Sequence, residues 1–179
     1  MTEALDPLLV WIARAGLATL LAQAALSKLA DRSLFEQHLA AYGVPDRLLA
    51  ATAMALPMAE TLAAGLLLTP LRASGGALAA ALLLLYAGVM AWHRSRGHAL
   101  DCGCGGEPLP LSWALVLRNT GLVALAALAA APMAARALGG GDFLVIAGAV
   151  VLGTLLYAAL HQVLRHRAGI RLRASLRRS

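Results

Sequence analysis

Residues 8–29, LLVWIARAGLATLLAQAALSKL, stay apolar for about the 20 residues that an α-helix needs to cross about 30 Å of hydrocarbon. Only Arg14, Gln23 and the closing Ser27-Lys28 interrupt them. Four further runs of similar length and character follow at residues 48–69, 75–93, 113–131 and 143–164. Turn formers separate them: Pro70 before the third, Pro108 and Pro110 before the fourth, and Pro132 with Gly139, Gly140 and Gly141 before the fifth. Ser112 is placed to cap the fourth. In hydrocarbon every backbone polar group must find its partner within the chain, which a helix achieves by itself. The sequence predicts an all-α fold: a polytopic transmembrane bundle of about five spans, comprising residues 1–164, with a basic tail at residues 165–179.

The composition agrees. Hydrophobic residues make up 60% of the 179 and charged residues 13%, with a mean hydropathy of +0.75, against about 45–50% and about 25% in ordinary soluble domains. The formal charge of +6 is concentrated, since six arginines, Arg165, Arg167, Arg171, Arg173, Arg177 and Arg178, fall in the last fifteen residues. A cationic run beside a span sets topology and meets anionic lipid. No recognition fold accompanies it, so nucleic acid is not an expected partner. The start of the chain carries Glu3 and Asp6 where a secretory signal is basic, so the first apolar run is expected to remain in the protein.

Between the first two runs, Leu34, Phe35, Leu39 and Tyr42 recur near helical spacing among charges before Gly43-Val44-Pro45, which predicts a short amphipathic helix on the membrane surface with His38 on its solvated side. Charges inside the spans carry the functional expectations, because an ionisable group at that depth is costly unless paired. Glu60 follows Pro57 near the middle of the second span, and the proline removes a helical hydrogen bond there. Glu60 is expected either to lock helix packing or to serve a site, neutralised by an arginine, Arg14 or Arg118. Arg14 itself either snorkels to its interface or points into the bundle. Arg118 and Asn119 lie within the first two turns of the fourth span.

Both cysteines lie in the connection after the third span, in Asp101-Cys102-Gly103-Cys104-Gly105-Gly106. Gly103 lets two such close residues reach disulfide range. A ring that small stabilises the fold little and exchanges readily, which suits a redox couple better than a staple. Arg94, Arg96, Arg118 and His98 favour the thiolate, and Asp101 and Glu107 oppose it. Two other readings stay open: a soft-metal site with His93 or His98, and two ordinary reduced cysteines. Five spans put this loop, residues 31–47 and the tail on one face; the arginine count assigns that face to the cytoplasm, because the opposite face has only Arg72 and Arg136.

Taken in order, Arg14, Ser27-Lys28-Leu29, Tyr42-Gly43-Val44-Pro45, Leu56-Pro57-Met58-Ala59-Glu60, the dicysteine loop and Leu117-Arg118-Asn119 resemble the methylamine utilisation protein MauE family, within the broader DoxX-like membrane proteins. The likeness runs over about residues 8–160. Gly105 departs from it, standing where the family often has Phe, which costs the loop an apolar anchor. The resemblance implies a bacterial inner-membrane protein with a four-helix core similar to vitamin K epoxide reductase, plus one helix. It implies a part in maturing a disulfide-rich client such as the methylamine dehydrogenase small subunit, together with a thioredoxin-like partner. In that picture Cys102 and Cys104 are the exchanging pair, and Arg14, Lys28, Glu60, Arg118 and Asn119 support them. Two cysteines cannot form a complete relay alone, so a partner protein or a membrane quinone supplies the other half. The alternative is a non-catalytic scaffold or metal-handling subunit that recruits the thioredoxin-like partner. An exported client calls for the dicysteine on the periplasmic face, which conflicts with the arginine count.

Overall fold

The computed structural model describes residues 4–98, 100 and 111–176, with residues 164, 165 and 167–176 described as backbone alone. Six helices account for nearly all of them: α1 (Pro7–Ala30), α2 (Arg32–Ala41), α3 (Asp46–Leu67), α4 (Arg72–Ser95), α5 (Trp113–Ala130) and α6 (Gly140–Leu176). All but α2 are long and apolar enough to span a membrane, α6 over Gly140–Val163. The chain is a polytopic helical bundle.

Local chemistry sets most of the boundaries. Asp6 caps α1, accepting the Leu8 N–H at 2.8 Å, and Pro7 occupies the first turn, where its missing N–H costs nothing. Asp31 closes α1 and opens α2, taking the Leu34 N–H at 2.9 Å and the Ser33 hydroxyl at 3.0 Å. After α2 the chain reverses through Gly43, whose φ of 87° is the left-handed conformation that glycine adopts without strain. Pro45 then precedes α3. Ser112 does occupy the N-cap of α5, although its hydroxyl makes no capping bond.

The core lies among α1, α3, α4 and α5, where Leu17, Leu21, Leu67, Leu82 and Leu83 interleave with Ala13, Ala18, Ala63, Ala64, Ala79, Ala126 and Ala129. Small residues let helices approach closely, which in lipid replaces the missing hydrophobic drive. The closest approaches come at Gly75 and Gly76. A Cβ on Gly75 would stand 2.6 Å from the Leu67 nitrogen, and one on Gly76 would stand 2.8 Å from the Ala130 Cβ and 2.9 Å from the Ala126 oxygen. α4 starts at Arg72, ahead of the run at 75–93. α6 packs on α1 and leaves Leu144, Leu152, Leu155 and Leu156 largely exposed, as befits a helix facing lipid. It continues unbroken to Leu176, past the residue-164 boundary expected from hydropathy, because no proline follows and arginine is a good helix former.

The face that carries the N-terminus is tied together. Leu5 and Met133 form a parallel bridge, with Leu5 N–H to Pro132 O at 3.0 Å and Ala134 N–H to Leu5 O at 2.9 Å. Arg136 contacts Asp6 and Asp142, each at 3.1 Å. The Leu8 N–H and then Arg136 hold the Asp6 carboxyl below the ordinary carboxylate range, and Asp142 followed by Asp6 raise Arg136. α2 covers the opposite end, with Phe35 and Leu39 buried against Ala53 of α3.

Candidate functional site

Two cations of α1 are buried, and the helix delivers them to opposite ends of the bundle. Arg14, only 3% exposed, reaches the C-terminus of α3, where Nε donates to Leu67 O at 2.6 Å and an Nη to Thr69 O at 3.0 Å. Its guanidinium lies 3.9 Å from the Trp11 ring centroid. The sequence offered snorkelling or an acidic partner. Instead, Arg14 stays inside on carbonyls that the helix end leaves without intrahelical partners, where the α3 dipole is negative.

Lys28 lies fourteen residues further on and is 7% exposed. Its Nζ donates to Glu60 Oε1 at 2.7 Å, to Oε2 at 3.0 Å and to Ala24 O at 3.3 Å, so all three of its N–H bonds are engaged. Glu60 is fully buried and also accepts the Tyr86 hydroxyl at 2.8 Å. The Phe35 and Tyr86 rings lie 5.8 and 5.5 Å from Nζ. The arginine expected to neutralise Glu60 is therefore replaced by Lys28. A compact ammonium on a flexible stem fits between both carboxylate oxygens and the α1 backbone, whereas Arg14 is held at the far end of α3.

This triad lines a cavity of about 320 Å³ in the half of the bundle nearest α2. Leu17, Leu21, Leu39, Leu56, Leu83 and Leu122 supply much of its wall. Arg118, half-buried, and Asn119, 4% exposed, also face it. Arg118 Nη2 donates to Asn119 Oδ1 at 3.3 Å, and the guanidinium stands 5.5 Å from the Tyr157 ring of α6. His38, expected on the solvated side of α2, is half-buried and lines the same cavity. The reason is helical register, which puts it on the face shared by Phe35, Leu39 and Tyr42.

Cys102 and Cys104 lie outside the described residues, as do Asp101 and Glu107. The flanking residues are placed. Leu111 N–H donates to Leu100 O at 3.0 Å, and the two leucines pack with Met90, Leu115, Val116, Tyr42 and Tyr86. Tyr42, Tyr86 and Met90 belong to the cavity wall as well. Beside this neck the Nδ1 atoms of His93 and His98 are 3.0 Å apart, one donating and one accepting, and the His93 ring meets Tyr42 edge-on at 5.1 Å. Arg96 stacks on Trp92 at 4.0 Å. Among the described residues no three groups of a metal-binding kind come together.

The sequence reading missed Tyr86, and it placed Tyr42 on the surface helix without foreseeing that it lines the cavity. Tyr86 is the one hydroxyl within the apolar stretch 77–92 of α4, which was the available signal; nothing local revealed that it would face Glu60.

Comparison with known proteins adds an identity to this arrangement. A family model described as methylamine utilisation protein MauE matches residues 6–132. The chain is similar to the methylamine utilization protein MauE of Paracoccus denitrificans, at 42% identity over 127 residues, 68% of each chain. It is also similar to that of Paracoccus versutus, at 41% over 140 residues, 75% of each chain. No solved structure matches it. The matched region takes in Arg14, Lys28, Glu60, Arg118, Asn119 and both cysteines, and the chain belongs to the methylamine utilisation protein MauE family, multi-pass membrane proteins linked to methylamine utilisation.

Proposed function

We propose that the chain is an accessory protein of the bacterial inner membrane whose Cys102 and Cys104 exchange disulfides with a client during its maturation, the methylamine dehydrogenase small subunit being the client that fits a role in methylamine metabolism. The observation that carries the reading is the neck at Leu100 and Leu111. Both ends of the dicysteine connection are pinned over the end of the bundle that holds Lys28, Glu60, Tyr86, Arg118 and Asn119. Cys102 follows Leu100 by two residues in the sequence.

The exchange balances without outside atoms. A client thiolate attacks the Cys102–Cys104 disulfide, a mixed disulfide forms, and the client's second thiolate displaces it; the client leaves with a disulfide and this chain keeps two thiols. The disulfide of a thioredoxin-like partner takes those two electrons and two protons and restores the pair. The buried ion pair, the arginine and the asparagine fix the bundle end from which the loop emerges.

The test is Cys102→Ser and Cys104→Ser in intact cells, with client disulfides counted by thiol labelling. Both variants are expected to abolish client maturation while the protein still accumulates in the membrane. Normal client disulfides in either variant would overturn the reading. A membrane-impermeant thiol reagent on single-cysteine variants shows which face carries the loop.

A second reading draws on the close approach of His93 and His98 beside the same neck, which suits a metal-handling or scaffold subunit that recruits the thioredoxin-like partner. Loss of bound copper or zinc from the cysteine variants, with client disulfides intact, selects it.

A further inference from the structure

Two groups of packed side chains meet at Tyr86. One is the core among α1, α3, α4 and α5, and the other is the neck, where the buried Met90, Leu111 and Leu115 pack together with Leu100. Tyr86 packs against both groups. It precedes Met90 by four residues on α4, so the two side chains lie on one face of the helix and point the same way, towards the connection that carries the cysteines.

The hydroxyl gives this ring a fixed point. It donates to Glu60 Oε1 at 2.8 Å, and the same oxygen takes the Lys28 Nζ at 2.7 Å. A hydrogen bond to a carboxylate is about twice as strong as one between neutral groups. The acceptor is also fixed, because Glu60 is fully buried and moving it would strand the Lys28 ammonium. The neck needs such support. Its closing bond, Leu111 N–H to Leu100 O at 3.0 Å, is worth about 0.5–1.5 kcal/mol net, whereas fixing each residue's backbone costs about 1–2 kcal/mol. Side-chain packing makes up the difference, and Tyr86 is the part of that packing tied to α3.

We infer that Tyr86 is a positioning residue for the dicysteine connection: its ring holds the Leu100–Leu111 neck, and its hydroxyl fixes that neck to the buried Lys28–Glu60 pair. The use of this arrangement rests on the thiol-exchange reading, and its geometry rests on the neck. The ion pair thereby acquires a task beyond charge balance, a rigid footing under the point where the cysteine-bearing chain leaves the bundle.

Amide hydrogen exchange of the full chain in detergent micelles, read by mass spectrometry on the peptide that contains Leu111, tests the footing without any client. Tyr86→Ala is expected to speed exchange of the Leu111 amide at least about tenfold, a step of roughly 1.4 kcal/mol, and to leave the amides of Leu17 and Leu21 in α1 within about twofold of the wild type. Tyr86→Phe keeps the ring and loses the bond to Glu60, so an intermediate rise of about fivefold is expected. Tyr86→Leu replaces the alanine variant if that one fails to accumulate. The reduced proteins are then alkylated with iodoacetamide across the thiol titration range. Arg94, Arg96 and His98 precede the neck, whereas Asp101 and Glu107 belong to the connection itself. A released neck separates the cysteines from those cations and not from the acids, so the alkylation profile of Tyr86→Ala is expected to move to higher pH, and Tyr86→Phe to restore most of the wild-type profile. Leu111 exchange that rises only in step with the α1 amides would reduce Tyr86 to ordinary packing and overturn the inference. So would a loosened neck with an unmoved alkylation profile, or a Tyr86→Phe protein identical to the wild type in amide exchange. Thiol exchange itself is decided separately by Cys102→Ser in cells, so neither result stands in for the other.

Discussion

The two ends of the bundle solve one problem in opposite ways. Each receives a buried cation from α1, Arg14 at one end and Lys28 at the other. The Arg14 end is closed, since the guanidinium meets the carbonyls of Leu67 and Thr69 and the surrounding connections are tied by the Leu5–Met133 bridge and the Arg136 cluster. At the Lys28 end the cation is neutralised by Glu60 and borders a cavity. An arginine on backbone carbonyls serves as a helix terminus and needs no second charge. A lysine with a carboxylate and a hydroxyl beside open volume is a polar site, and the same end carries the neck of the dicysteine connection. One end is tied by backbone and surface contacts, and the other holds the buried charge pair and the open volume.

That contrast breaks most visibly at Glu60. Glu60→Ala leaves the Lys28 ammonium buried without its partner and is expected to destabilise the protein by about 3–5 kcal/mol, measured by unfolding in mild detergent. The double variant Lys28→Met, Glu60→Leu removes both charges and is expected to recover most of that loss. If the double variant is no better than Glu60→Ala, the ion pair is not the reason for the effect.

Arg14→Leu tests the other end. Losing donors to two carbonyls is expected to cost about 1–3 kcal/mol, less than at Glu60 because nothing charged is stranded.

Gly76→Ala probes the contact that sets α4 against α5. Its new methyl would press on the Ala126 oxygen and the Ala130 Cβ, and a cost of about 1–3 kcal/mol is expected, read as a lower melting temperature. The smallest effect is expected at Asp6. Its carboxyl is held low in the folded protein, first by the Leu8 N–H and then by Arg136, so its contribution is present above the unfolded value of about 3.9 and is lost as pH falls through the lower folded one. Asp6→Asn keeps the helix cap and loses the ion pair. Its melting temperature is therefore expected to lie slightly below that of the wild type at pH 7, and the gap is expected to close only as pH falls below about 3.9 towards the lower folded value.

Much of this was legible in the chain. Apolar runs of spanning length appear wherever lipid is the solvent, so the five long helices followed from hydropathy, and Gly43-Val44-Pro45, Pro70 and Ser112 announced several of the ends. Glu60, Arg14 and Arg118 stood out because charged groups at that depth need a reason, while Lys28 and Asn119 entered as site residues through the family resemblance. Their pairing did not stand out. Lys28 is near the end of its run, where a lysine ordinarily reaches for water, and only the covering of that end by Phe35 and Leu39 of α2 turns it inward. Tyr86 and His38 joined the site for the same reason, through helix rotation and the packing of α2, which a one-dimensional pattern under-specifies.

The sequence by itself determined a five-span membrane bundle, its cysteine pair and the charges that interrupt its spans, because hydrophobic length, glycine and proline conformations and the cost of charge in lipid are local properties. The tertiary structure alone decided that Glu60 is met by Lys28 and Tyr86 and that Arg14 caps α3. It also decided that a cavity opens beside the triad, because those outcomes depend on which residues distant in sequence the packing of α1, α2, α3 and α4 brings within about 3 Å, the range of a hydrogen bond.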